Sequence, residues 1–240
     1  MTRIEHMPKS ARSSPSKRGR PVDPALADRR REQILRAASR VFAKRGFGGT
    51  DVQDVADALK VGKGTIYRYF PSKRELFQAA VDRVMIGVSS SIDGAIAESA
   101  DPMDRIGLAI RAYLRYFHTH PESVELLIQE RAEFRDRKKP TYFQHREANA
   151  HRWHELYRGL IDAGRMRDMP ADRISDVIGD LVYGTMFTNY MAGRTRNLAE
   201  QSDEIVDFVL HGLLTPGERA ERPPIRWARP VREMDKETQI

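Results

Sequence analysis

Apolar residues recur along this chain at three- and four-residue intervals, and no convincing stretch alternates in the two-residue period of a half-buried strand. Ile34, Leu35, Ala38, Val41 and Phe42 fall on one face of a helix expected over residues 29–45, with Gly46 as its C-cap and Phe47 folding back on it. Val52, Val55, Ala56 and Leu59 give a short helix behind Thr50, whose hydroxyl suits an N-cap. Lys60-Val61-Gly62 breaks that pattern, and a second short helix over residues 63–69 turns Ile66 and Phe70 inward. Pro71-Ser72 ends it, with Ser72 placed to cap a long helix carrying Leu76, Phe77, Ala80, Val81, Val84 and Val88.

Beyond residue 100 the stripes continue: Ile106 to Phe117 after Pro102, Val124 to Phe134 after Pro121, then Phe143 to Ile161 with Gly164 as its stop. Two last helices, from Pro170 to Tyr190 and from Ile205 to Leu214, carry apolar faces wider than one core requires. The predicted fold is therefore all-α. It comprises an N-terminal three-helix helix-turn-helix domain over residues 29–83 and a C-terminal helical domain over residues 84–215. Residues 1–28, rich in Ser, Pro, Lys and Arg, read as a disordered basic arm, and the Pro- and Arg-rich residues 216–240 as a flexible tail.

Charge sharpens this division. The net charge is +7, but residues 1–83 hold +10 and the remainder −3, so the excess lies on and before the helix-turn-helix. Such a one-sided balance favours association with a phosphate backbone through counterion release. With no cysteine, disulfides and thiolate metal sites are excluded, and no apolar run is long enough to span a bilayer. The N-terminus lacks a signal-peptide stretch, and a cytoplasmic location is expected.

Two short helices joined by a tight turn, the second bearing Lys63, Gly64, Thr65, Tyr67, Arg68 and Tyr69, match a DNA-binding helix-turn-helix. The run I-L-R-A-A-S-R-V-F-A-K-R-G-F-G-G-T, followed by V-A-D-A-L-K-V-G-K-G-T-I-Y-R-Y-F-P-S-K-R-E-L-F, resembles the DNA-binding domain of the tetracycline-repressor (TetR) family over about fifty residues. The chain departs from that family's pattern twice, with Lys60 where the turn commonly has Gly and Gly62 where the recognition helix commonly opens with Ser. Lys60 must then adopt a left-handed backbone, at roughly 1 kcal/mol. The resemblance implies that Thr50, Tyr67, Tyr69 and Lys73 hold phosphates, while Lys63, Thr65 and Arg68 face the major groove or its rim and Gly64 lets the backbone approach. Separately, Lys17-Arg18-Gly19-Arg20-Pro21 resembles an AT-hook, which would place Arg18 and Arg20 in an A·T-rich minor groove.

The same resemblance implies a small-molecule effector enclosed in the second domain, with Tyr113, Phe117, Phe134, Trp153, Tyr157, Met186 and Phe187 as candidate lining, and a homodimer built through residues 170–214. An aromatic stripe at helical spacing is more often core than pocket. Glu147, His151 and His154 share a helix face, but three or four converging ligands are needed for a closed metal site, and no metal or other cofactor is expected. No nucleophile elbow, phosphate loop or zinc-protease motif occurs, so enzymatic activity is not expected. The function this implies is a ligand-responsive, DNA-binding transcriptional regulator of the repressor type, dimeric on a pseudo-palindromic operator. A nonspecific DNA-coating protein, an activator and a helical enzyme using His151 and Glu147 stay open as alternatives.

Overall fold

The computed structural model describes residues 24–193 and 197–222. Among them the regular structure is helical, apart from one isolated bridge between Met166 and Leu214. The helices run α1 (Pro24–Gly49), α2 (Val52–Ala58), α3 (Lys63–Tyr69), α4 (Lys73–Ile96) and α5 (Pro102–Thr119). They continue through α6 (Pro121–Glu133), α7 (Thr141–Asp162), α8 (Ala171–Met191), α9 (Leu198–Leu213) and α10 (Pro216–Glu221).

The head is closed by α1 lying over α2 and α3. Ile34, Leu35, Ala38 and Phe42 of α1 meet Val55, Ala56 and Ile66 in a fully buried core. Helix α1 breaks at Gly46, whose φ of 76° and ψ of 160° lie outside the helical region and suit a residue without Cβ. The break returns Phe47 onto Phe42, with ring centroids 6.1 Å apart. Lys60 takes the left-handed conformation expected of it, at φ 54°.

The N-cap of α2 corrects the expectation from sequence. Thr50 is buried, and its hydroxyl donates to the Gly46 carbonyl at 2.7 Å, so it caps the end of α1 and not the start of α2. Asp51 is the N-cap. Its carboxylate accepts from Gln53 N at 2.6 Å, while Asp54 accepts from the Asp51 N–H at 2.9 Å, a reciprocal capping box.

Helix α4 is continuous for 24 residues, about 36 Å at 1.5 Å per residue, and carries the chain from the head into the second domain. There it packs along α5, which is itself covered by α8 and α9. Helix α6 turns back onto α1 and α4. Gln129 donates to the Phe42 carbonyl at 3.0 Å across this junction, and Phe134 enters between Phe47 and Phe77 at centroid distances of 4.9 and 5.4 Å.

The expected flexible tail from residue 216 is also corrected at its start, where α10 forms. Thr215 caps it, with Pro216 in the first turn and Glu218 accepting ion pairs from Arg165 at 2.8 Å and Arg222 at 3.0 Å. Arg165 and Arg222 also reach Asp101, so α10 is fastened to the start of α5. The signal was present in sequence: Thr-Pro-Gly-Glu has the capping residue, the N1 proline and the acidic third position of a helix start. Trp227 lies outside the described residues.

Candidate nucleic-acid interface and effector cavity

Helix α3 is held from beneath by Ile66, which is completely buried, and by Phe70 at its C-cap. That anchoring leaves Gly64, Tyr67 and Arg68 exposed on the outer face, with Lys63 and Thr65 half-buried at its edges. Tyr67 is 40% exposed, so its ring is not held there by packing. Lys63 sits 6.0 Å from the Tyr67 ring and Arg68 lies 5.4 Å over Tyr69. Each cation of α3 thus has a tyrosine ring beside it.

Electrostatics set the position of the α3 N-terminus. The Lys63 ammonium bonds Asp51 at 2.7 Å, tying the start of α3 to the start of α2. This hydrogen bond holds the Asp51 carboxyl below its usual value and the Lys63 ammonium above its own, so both are charged at neutral pH. Arg45 likewise pairs with Asp54. A phosphate near Lys63 must therefore compete with Asp51 for its proton donors.

Thr50 and Lys73, both expected to face phosphate, are placed differently from the exposed set. Thr50 is 2% exposed with its hydroxyl donating inward. The Lys73 ammonium donates to the carbonyls of Phe47 at 2.8 Å and Thr50 at 2.9 Å and lies 4.6 Å from the Phe47 ring. Together they close the backbone turn that follows α1 and hold α4 against it. Arg18 and Arg20 lie outside the described residues.

A cavity of about 880 Å³ lies among α4, α5, α7 and α8 of the second domain. Of the seven residues expected to line it, Tyr113, Trp153 and Tyr157 do so. The other four do not. Phe117 lies one turn beyond Tyr113, in ring contact with it and with Tyr116. Phe134 is the wedge at the head junction. Met186 lies behind Tyr113, its sulfur 3.6 Å from that hydroxyl, and Phe187 meets Tyr183 edge to face. Residues not singled out from sequence complete the wall, notably Val88 and Ile92 of α4 and Tyr142 and Arg146 of α7. The apolar stripe of α4 continuing past Val84 was the available signal for the first two.

The cavity floor is strongly desolvated. Burial pushes the Tyr142 hydroxyl up to about 12 and raises those of Tyr113 and Tyr157, so all three are neutral donors at physiological pH. The histidine cluster is dispersed: Glu147 pairs with Lys139, and exposed His151 faces Glu155 at 3.4 Å. Among the described residues no group of three His, Cys, Asp or Glu is placed to hold a metal, and no helix is long and apolar enough to cross a membrane.

The family model described as bacterial regulatory proteins, tetR family, matches residues 34–80, and that described as the tetracyclin repressor-like C-terminal domain matches residues 99–213. Among curated relatives, the transcriptional activator FasR of Mycolicibacterium smegmatis is 30% identical over 102 residues, 42% of this chain and 47% of that protein. The transcriptional repressor NicS of Pseudomonas putida is 32% identical over 104 residues, 43% of this chain and 49% of that protein. The chain thus spans about half the length of these curated relatives. In fold, it is similar to the fatty acid degradation regulator FadR of Bacillus halodurans, with a TM-score of 0.65 at 18% identity, covering 76% of this chain and 95% of that one. With a helix-turn-helix head matched by one model and the helical domain behind it by the other, the chain belongs to the tetR family of bacterial regulatory proteins.

Proposed function

We propose that this chain is a ligand-responsive transcriptional repressor that binds a pseudo-palindromic operator as a homodimer and releases it when a small molecule occupies the second-domain cavity. The observation that carries this is the outer face of α3, where Tyr67 and Arg68 stand exposed on a helix anchored by Ile66, within the +10 portion of the chain. A short, rigidly held helix with a cationic, hydroxyl-bearing face suits the major groove. Tyr67, Arg68, Gly64 and Thr65 are assigned to the DNA surface, with Lys63 at its rim and Tyr69 supporting Arg68. Thr50 and Lys73 act as struts behind that surface.

Dimerisation through α8 and α9 is supported by apolar side chains left on their outer faces: Val177 is 58% exposed and Phe208 76%. Ligand response is supported by one short segment between α6 and α7. Its first residue, Phe134, is wedged into the head, and Asp136 pairs with Arg74 of α4 at 2.9 Å. Its last residues, Lys138 to Pro140, line the cavity. A ligand that binds better when this segment is displaced shifts the head between two positions, by no more than its differential affinity for them.

The test is operator binding by surface variants. Arg68→Ala and Lys63→Ala are expected to weaken binding about 10-fold or more, in line with 1–3 kcal/mol per base-edge or rim contact. Sedimentation of both variants stays that of the parent dimer. Unchanged DNA affinity in both variants would refute the assignment of α3 to the groove.

A further inference from the structure

The cavity's walls specify more than its position. Its deep surface is apolar, formed by Val88, Ile92, Ile106 and Ile110 with the Trp153 and Tyr157 rings. Two buried tyrosines of the wall, Tyr113 and Tyr142, bring their hydroxyls to 3.3 Å of each other. A hydroxyl pair both donates and accepts, so it suits a carbonyl or hydroxyl on a ligand.

Cations do surround the mouth, but most of their charges are already matched. Arg152 pairs with Asp93, Lys139 with Glu147, and His145 faces Asp82 at 2.6 Å. Arg146 reaches from α7 to α8, where its two terminal nitrogens bond Asp180 at 2.7 Å and Asp176 at 3.0 Å. The other lining ions at the mouth, Lys138, Arg173 and Asp172, are exposed at its outer edge. Half-buried His154 also lines the wall, and the buried Nε of Arg152 has no hydrogen-bond partner, but the guanidinium charge is already paired with Asp93 and a lone N–H suits a neutral carbonyl as a ligand. A carboxylate or phosphate entering the apolar interior would have to share or break an existing ion pair to gain a full counter-charge.

Gly179 explains how Arg146 spans the gap. A Cβ at Gly179 would lie 2.8 Å from the Arg146 Cζ, so the guanidinium rests directly on the α8 backbone. The side chain is then a bar laid over the cavity between two helices, held at its far end by two aspartates on successive turns.

We propose that the cavity takes an uncharged, largely apolar ligand bearing a carbonyl or hydroxyl, and that the Arg146 bridge over Gly179 closes its mouth and does not bind the ligand as a counter-ion. This rests on the assignment of the cavity as the effector site. It commits to a ligand class that the cavity's position alone does not give.

The experiment uses the full chain and N-phenyl-1-naphthylamine, an uncharged fluorophore that brightens in apolar surroundings. The probe is displaced at pH 8 by 1-dodecanol or by dodecanoate, which share a chain length and differ in charge. Dodecanol is expected to compete at a concentration at least about 10-fold lower, since each tenfold corresponds to only 1.4 kcal/mol and burying an unpaired carboxylate exceeds that. Arg146→Gln leaves this ratio unchanged. Gly179→Ala, which dislodges the guanidinium, speeds probe entry and release several-fold in stopped flow while the equilibrium affinity shifts less than 3-fold. Ala109→Trp, which fills the cavity from α5, removes uptake.

Preferential displacement by dodecanoate, lost in Arg146→Gln, would overturn the inference by making Arg146 the head-group ligand. Absence of probe uptake, or uptake retained in a folded Ala109→Trp variant, would overturn it as well. Either failure in protein that still selects a DNA site removes the ligand class and leaves the regulator. Dodecanol-selective uptake by protein that distinguishes no DNA sequence supports the ligand class and removes the regulator.

Discussion

Lys60 holds a left-handed backbone at φ 54°, between α2 and α3, at a place where glycine pays no Cβ penalty. Its side chain is exposed, so the strain is not offset by packing. Lys60→Gly is therefore expected to stabilise the protein by up to about 0.5 kcal/mol, the roughly 1 kcal/mol of backbone relief less the extra entropy of glycine in the unfolded chain. Denaturant unfolding measures it, and a loss of stability would show that the turn is not strained. This conformation was expected through the family resemblance, whose turn commonly has glycine where this chain has Lys60. The neighbouring cap was not. Thr50 and Asp51 are both good N-cap residues, and local pattern does not say which donor each one meets. The break at Gly46 decides it, by turning the α1 carbonyl towards the Thr50 hydroxyl at 2.7 Å and leaving the α2 amides to Asp51.

At the scale of elements, helix existence followed from periodicity nearly everywhere, because amphipathic stripes report which face is buried. What lies opposite each face depends on tertiary approach, which spacing does not encode. Phe134 shows the difference. It sits at the end of an apolar stripe like any pocket residue, yet the turn after α6 carries it to Phe47 and Phe77 of the head. Phe134→Ala should cost about 3–5 kcal/mol as a buried aromatic truncation, and hydrogen exchange should rise at both α1 and α6. An increase confined to the second domain would contradict a wedge shared with the head.

Helix α10 makes a second prediction at this scale. Hydrogen bonds from Arg165 hold the Asp101 and Glu218 carboxyls below their ordinary values. Carboxyl groups depressed on folding contribute stability above their unfolded values, near pH 4, and lose it as pH falls through the folded ones. The stability difference between the parent and Arg165→Ala should accordingly be level from pH 5 to 8 and shrink below about pH 4. A difference that grows on acidification would reverse the sign and refute the assignment.

For the whole molecule, the division of charge and the division of fold coincide: the +10 segment ends within α4, the helix that joins the head to the cavity-bearing domain. The outward apolar face of α8 and α9 is the surface proposed for the two-fold contact. Phe208→Glu should turn a sedimenting dimer into monomer while circular dichroism keeps its helical signal. A dimer that survives places the interface elsewhere. Fold class was readable because helical periodicity is local, and the head because a continuous run of about fifty residues resembles a known DNA-binding domain. The cavity's lining and the Arg146 bridge were not, since they arise where α4, α5, α7 and α8 converge between Met85 and Val182, nearly a hundred residues of sequence.

The central claim is that the face of α3 reads sequence and does more than attract phosphate. Competitive selection from fragments of the source genome, with bulk DNA as competitor at fixed 150 mM salt, tests it most directly. The expected result is a pseudo-palindromic site bound at least about 10³-fold more tightly than bulk DNA, the lower end for specific recognition, with the preference diminished in Arg68→Ala. Uniform affinity for all fragments, falling steeply with salt and indifferent to Arg68, would contradict it and leave a protein that only coats DNA.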